Sequence, residues 1–308
     1  MKAYLFASLM ALASCSKKAN PPPVEPTAPT EAAGSPAPAP EPTVVAAQAP
    51  PEPPAPPAPP RPAVVIAPYT PSPDVPAPIT AAIAAPSRTD KDRSLDAGRK
   101  PGEVLAFFKV APGQKIGELF SGPGYTTEIV ARVVGDGGKV YAQNSKEMMD
   151  RFARAPITER AAKPEAKSIV VVEQPNESPF PPDAKNLDAV ICVLNYHDYV
   201  WQNVDRAKLN KAVFASLKPG GVYGIVDHAA AKGSGLRDVK TLHRIDEEAV
   251  KREILAAGFK LDLESDVLAN PSDSRDWSAS PGEAGERRGT SDRFTIRFVK
   301  PGGKKSHK

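Results

Sequence analysis

Proline density decides the layout of this chain. Of its 37 prolines, about 24 lie between Pro21 and Pro86, roughly a third of that stretch. Proline fixes its own φ and has no N–H, so such a segment cannot run as a helix interior or a central strand. The 308 residues therefore do not make one globule. The sequence divides into a short head at 1–15, a Pro/Ala-rich disordered linker at 16–86 and a domain at 87–308, long enough for one sizeable core. The linker favours extended polyproline II and acts as a spacer. The net charge of +4 is about what the tail from Lys300 to Lys308 carries by itself. The body is near neutral, which argues against a dedicated nucleic-acid binder, and no nucleic-acid partner is expected.

The head reads Met-Lys, then an apolar run from Ala3 to Ala13, then Ser14-Cys15. That run is too short to span a bilayer and fits a secretory signal peptide. Its end, Leu12-Ala13-Ser14-Cys15, resembles the bacterial lipobox, in which the cysteine becomes the lipidated first residue of the mature protein. The resemblance implies acylation at Cys15 and a membrane partner reached through the lipid. Ser16 in place of aspartate implies the outer membrane, facing the periplasm. Cys192 lies in the apolar run Ala189 to Leu194 and is expected to be a buried core thiol rather than a disulfide partner.

From residue 87 onward, short strands and helices alternate. Helices are expected at Arg93–Gly98, Pro101–Phe108, Tyr125–Val134, Lys146–Arg154, Asp205–Leu217 and Asp246–Ala257. Strands are expected at Gln114–Phe120, Lys139–Ala142, Ser168–Glu173, Leu187–Leu194, Gly221–Asp227, Phe259–Asp266 and Phe294–Val299. Alternation at this spacing argues for an α/β, doubly wound, mostly parallel sheet. The last two strands have no helix between them, so they should close it as an antiparallel hairpin around a polar loop, Asn270 to Asp292. Ser121-Gly122-Pro123-Gly124 falls at the first strand-to-helix turn, where a ligand must approach backbone. A dinucleotide site would want a third glycine, which is missing.

Further segments carry a family resemblance. They are Asp96-Ala97-Gly98-Arg99-Lys100-Pro101, Gly122 to Glu128, Asn195-Tyr196-His197-Asp198, Lys218-Pro219-Gly220-Gly221 with Asp227-His228, Leu242-His243-Arg244-Ile245-Asp246, Ala257-Gly258-Phe259 and Thr290-Ser291-Asp292-Arg293-Phe294. Together they resemble a group of predicted bacterial class I S-adenosylmethionine-dependent methyltransferases that share an Asn-Tyr-His-Asp motif and often carry signal peptides. The resemblance implies a Rossmann-like class I methyltransferase fold, with a seven-stranded mostly parallel sheet and a C-terminal antiparallel hairpin. It implies S-adenosyl-L-methionine as cofactor, held by Glu118, Phe120, Gly122, Gly124, Tyr125, Asn144, Glu173, Gln174 and Asn195. Glu118 stands in place of the usual aspartate. Pro123 replaces a usual glycine, and the ribose position reads Gln143-Asn144, which can hydrogen-bond only neutrally.

Ligands in open α/β sheets bind beyond the carboxyl ends of the strands. His197 and Asp198 follow one such end, Asp227 and His228 the next, and His243 and Arg244 come soon after. A histidine titrating near neutral pH suits deprotonation of a hydroxyl or amine nucleophile. His197 or His228 is the expected base, Asp198 or Asp227 its orienting or substrate-holding partner, and Asn195 a contact to the substrate's polar group. His243 and Arg244 are expected to meet substrate, while Arg275, Arg287 and Arg288 on the polar loop suit an acidic one. These histidines and aspartates could supply metal ligands, but they are scattered and no His-x-x-x-His pair supports a site, so no metal is expected. The leading reading is a lipid-tethered methyltransferase. The alternative is a degenerate fold serving as a binding module in the envelope, and a third is a metal- or nucleotide-using enzyme on the same scaffold.

Overall fold

The computed structural model describes residues 68–302. The head with Cys15, most of the linker and the end of the basic tail lie outside the described residues. The boundary at 86 needs correction. Ala77–Ala84 is a helix, α1, that buries Ile79, Ala82 and Ile83. Its prolines fall at the helix start, where a missing N–H costs nothing. Ile79 and Ile83, four residues apart, then share a face and dock on the helices that follow. Each buried isoleucine is worth about 1.5–3 kcal/mol, so α1 contributes on the order of 5 kcal/mol. A chain beginning at 87 is therefore expected to melt roughly 10 °C below one beginning at 68 in scanning calorimetry. Equal melting points would return α1 to the linker.

The remaining helices are α2 (Asp90–Arg99), α3 (Pro101–Phe107), α4 (Tyr125–Val134), α5 (Lys146–Met148), α6 (Arg154–Ala161), α7 (Tyr196–Trp201), α8 (Arg206–Ser216), α9 (Val239–Leu242) and α10 (Glu247–Ala256). The strands are β1 (Lys115–Leu119), β2 (Lys139–Asn144), β3 (Ile169–Glu173), β4 (Leu187–Val193), β5 (Leu217–His228), β6 (Lys260–Ser265) and β7 (Arg293–Val299). Side-chain caps fix several helix starts. Thr89 accepts from the Asp92 amide, Asp205 from that of Lys208 and Asp246 from that of Glu248.

These strands form one seven-stranded sheet in the order β3-β2-β1-β4-β5-β7-β6. The first five run parallel, and β7 is antiparallel to both β5 and β6. This is the sheet and terminal hairpin expected from the sequence. Alternate strand residues feed two cores. Ile116, Val140 and Ile191 pack under α1, α3 and α4, while Leu119, Tyr141, Cys192 and Tyr223 pack under α7, α8 and α10. Cys192 is buried and free, as expected. Three local differences have physical causes. A five-residue π-helical turn, Met149–Ala153, lets the helix begun at Lys146 run on to Ala161, beyond the end expected at Arg154. β5 starts at Leu217, but the register shifts around Pro219, so regular pairing begins at Val222. A short helix, α7, forms directly after β4 and carries the Tyr-His-Asp run.

Candidate active site

β1 delivers its last residues to a bend that leads into α4. Phe120, Gly122 and Gly124 all have positive φ, at 52°, 55° and 89°. A Cβ added at Gly122 would meet no atom within 4 Å, so this residue faces open space. The bend is shaped from β2. Gln143 Oε1 accepts the Phe120 N–H at 3.1 Å, and Asn144 Oδ1 accepts the Gly122 N–H at 2.8 Å. The Asn144 amide also donates to Ser121 Oγ. Asn144 is fully buried, so its side chain is spent on the loop. This corrects its expected place on a ribose.

Tyr125 needs the same correction. Its hydroxyl donates to Asp96 at 2.6 Å, and its ring lies under the guanidinium of Arg99, 4.5 Å from the centroid. It clamps α2 to the start of α4 instead of facing a ligand. Phe120 is also buried, edge-on to Tyr199. Glu173 and Gln174 do line a space. With Ser145, Lys146, Asn176 and Gln202 they border a cleft of about 540 Å³ beyond the carboxyl ends of β2 and β3. Its size is that of a small-molecule site. Glu173 is held on one side by Arg154, at 2.9 Å.

Glu118 sits beneath the bend, 3% exposed, and accepts from Thr127 of α4 at 2.5 Å. Burial pushes its carboxyl up to about 8, against the opposing effects of the Thr127 hydrogen bond and of the Arg99 and Arg160 charges. Arg99 is a residue that sequence reasoning passed over. Burial lowers its pKa, and the charges it feels include Glu118. Among the described residues it has no ion-pair or hydrogen-bond partner. Its signal was its place in the Asp96–Pro101 motif, which was read only as a lead-in to the fold.

The imidazoles lie further along the same edge, past β4. Asn195 marks the division, donating to Phe120 O and Val193 O at 3.1 and 2.7 Å and so tying the ends of β1 and β4 together. Asp227, fully buried at the end of β5, takes three donors. It accepts the His197 N–H at 2.8 Å and the His228 N–H at 2.7 Å, and it meets His197 Nδ1 at 2.6 Å. His197 Nε2 is buried without a hydrogen-bond partner. It points toward Asp198 Oδ1, 3.5 Å away, and His243 Nε2 lies 3.5 Å from the same oxygen. The His197 and His243 rings are 4.4 Å apart. His243 holds φ at 54° and Leu194 at 64°, conformations that non-glycine residues rarely adopt and that gather at functional sites.

The charges follow from burial and neighbours. Burial works against a charged His197, but the Asp227 carboxylate outweighs it and lifts the imidazole to about 9. Burial raises Asp198 to about 6. Burial, then the His197 charge, lower His243 to about 4 and hold His228 well below the ordinary imidazole range. His228 is thus a neutral ring, with Nδ1 2.7 Å from Ser291 Oγ, and it is a poor proton acceptor. Of the two expected bases, His197 is the one oriented by a carboxylate, but an imidazole lifted to about 9 already carries its second proton at neutral pH and accepts one only from the alkaline side.

Arg244, expected to meet substrate, is committed within the fold. It is fully buried, bonds Asp273 at 2.8 Å and Ala229 O at 3.1 Å, and lies over the Trp277 ring. The polar loop from Asn270 to Asp292 is thereby pinned down. Asp273 accepts from Arg244, from Trp277 Nε1 and from the Asp292 amide, and Arg275 pairs with Asp292. Arg275 is therefore spoken for, and Arg287 lies over Trp277.

No protein-family model and no curated protein matches the chain. Solved structures do. It is similar to the [4+2]-cyclase SpnF, with a TM-score of 0.51 and 16% identity, covering 73% of this chain and 92% of that one. It is also similar to a SAM-dependent methyltransferase from Aquifex aeolicus, with a TM-score of 0.48 and 19% identity over 69% and 99% of the two chains. A SAM-dependent O-methyltransferase from Thermotoga maritima follows, with a TM-score of 0.43 and 17% identity over 75% and 74%. The protein has a Rossmann-like α/β fold with a seven-stranded sheet, mostly parallel and closed by an antiparallel pair, and shares that fold with these structures. One neighbour on this fold is named a cyclase, so the reaction must be argued from the site.

Proposed function

We propose that this protein is an S-adenosylmethionine-dependent methyltransferase acting on a hydroxyl or amine nucleophile. The observation that carries the reading is a complementary pair beside the glycine bend. Glu118 is a buried carboxyl without a cation close enough to keep it ionised, and Arg99 is a guanidinium without a carboxylate. The ammonium and carboxylate of one amino-acid group would satisfy both. Gly122 leaves the bend open, and the cleft at Glu173, Gln174 and Gln202 offers room for a nucleoside on the same edge. These residues fit the cofactor, although Asn144 and Tyr125 are spent elsewhere.

When bound, S-adenosylmethionine supplies an electrophilic methyl group on its sulfonium. The chain's own task is to place the nucleophile and receive its proton. Asp227 holds the His197 ring through Nδ1 and leaves Nε2 facing Asp198 and His243, so the proton would be taken up within this group. Ser291 holds the His228 ring at Nδ1, and burial with the nearby positive charges keeps that ring neutral. Titration of the full chain with S-adenosylmethionine and S-adenosylhomocysteine by calorimetry tests the reading. Binding is expected, and Arg99→Met should weaken it about tenfold or more, the worth of one charged hydrogen-bonded contact. No heat of binding at millimolar ligand would leave the fold as a tethered binding module.

A further inference from the structure

We infer that His197, Asp198 and His243 form a binding site for one divalent transition-metal ion of the zinc or ferrous class. Each residue offers one ligand atom, and the three atoms lie within 4.8 Å of one another. Both imidazole Nε2 atoms stand 3.5 Å from the same carboxylate oxygen, Asp198 Oδ1. That gap is too long for a good hydrogen bond. It suits two ligands on one metal, since bonds of about 2.1 Å at tetrahedral angles place ligand atoms about 3.4 Å apart.

Two independent observations point the same way. His197 is 1% exposed, yet its Nε2 has no hydrogen-bond partner, and a buried polar atom aimed at other ligand atoms calls for an occupant. The second lies behind it. His197 Nδ1 meets the Asp227 carboxylate at 2.6 Å, the arrangement in which a carboxylate fixes the tautomer of a metal-ligating histidine. Asp227 is itself held by the His197 and His228 amides. The ligand's direction is thus set from two sides before any ion arrives.

Two imidazoles and one carboxylate leave positions open on the ion, as in catalytic rather than structural metal sites. Asp198 and His243 side chains are 19% and 24% exposed, which gives a route in from solvent. A hydroxyl bound at an open position loses its proton more readily. The ion would then take over the activation of the nucleophile, because a His197 whose Nε2 is on the metal and whose Nδ1 is on Asp227 has no nitrogen free to accept a proton. The inference stands on these side chains alone and does not depend on cofactor binding.

The test uses the full chain, stripped with chelator and titrated with Co(II) and with Zn(II). One equivalent of each should bind, Co(II) with visible d–d bands. His243→Ala and Asp198→Ala should each weaken binding by at least about tenfold. Asp227→Asn, which touches no metal, should weaken it by about 10–100-fold and shift the Co(II) spectrum, as loss of an outer-shell partner does. The chain's fourth histidine lies in the basic tail, and His307→Ala should change nothing. Circular dichroism confirms folding, with His243→Gln as a milder replacement if the alanine chain unfolds. No binding at 100-fold excess Co(II), or equal affinity in folded His243 and Asp198 variants, overturns the inference. Because metal is titrated alone, its failure leaves the methyltransferase reading untouched.

Discussion

A Gly122→Val chain is expected to fold and yet lose at least about 100-fold in affinity for S-adenosylmethionine. Gly122 has φ of 55°, and a β-branched residue there is strained by roughly 1–3 kcal/mol. Apart from its chain neighbours no protein atom lies within 4 Å of an added Cβ, so the side chain starts out into open space. The branched side chain would instead fill the space a ligand must enter. Gly122→Ala separates the two effects, because it carries much of the backbone strain with far less bulk. Calorimetric titration of both chains decides the matter. Valine and wild type binding alike would place the cofactor away from this bend.

Glu118→Gln is expected to move stability and binding in opposite directions. The carboxyl titrates near 4.5 when unfolded and is pushed up to about 8 in the fold, chiefly by burial. Between those values the folded chain holds a proton that the unfolded chain has released. Stability from this group is therefore full below pH 4.5 and declines as pH rises toward 8, at about 1.4 kcal/mol per pH unit. Glutamine cannot ionise and keeps the Thr127 hydrogen bond, so at pH 9 the variant should be more stable by several kcal/mol. It should also bind S-adenosylmethionine on the order of 100-fold more weakly, since the ammonium loses its counter-charge. Wild-type affinity should rise from pH 6 toward 8 and the variant's should not. Melting curves and titrations across that range test both halves, and a glutamine chain less stable than wild type at pH 9 would refute the first.

What the sequence made legible follows from local chemistry. The bounds of α4 were readable because Gly124 and Gly135 punctuate its ends. β4 was readable because its apolar run, Ala189 to Leu194, is too short for a buried helix and suits a strand covered on both faces. The mostly parallel sheet followed from alternation and the closing hairpin from two terminal strands with no helix between them, while the order of the strands has no local signal. α1 was hidden because its isoleucines lie among prolines, and composition outweighed a two-residue periodic signal. The site was legible as a location and less so as a set of roles. His197, Asp198, Asp227 and His243 do meet, since strand ends bring them to one edge. Asn144, Tyr125 and Arg244 were misassigned because each has a partner distant in sequence. Gly122, Asp96 and Asp273 claim their polar atoms, and nothing in the local sequence announces such pairings. Arg99 was missed for the opposite reason, because its importance lies in lacking a partner.

The strand order has a consequence for how the molecule comes apart. Among the described residues β6 pairs with β7 alone, while β7 pairs with both β6 and β5. β7 is thus the hinge pin from which β6 hangs. A break anywhere in 293–299 would cast off two strands at once. It would also slacken the tether at Ser291 that steadies His228, so damage to β7 would reach the histidine edge as well as the sheet.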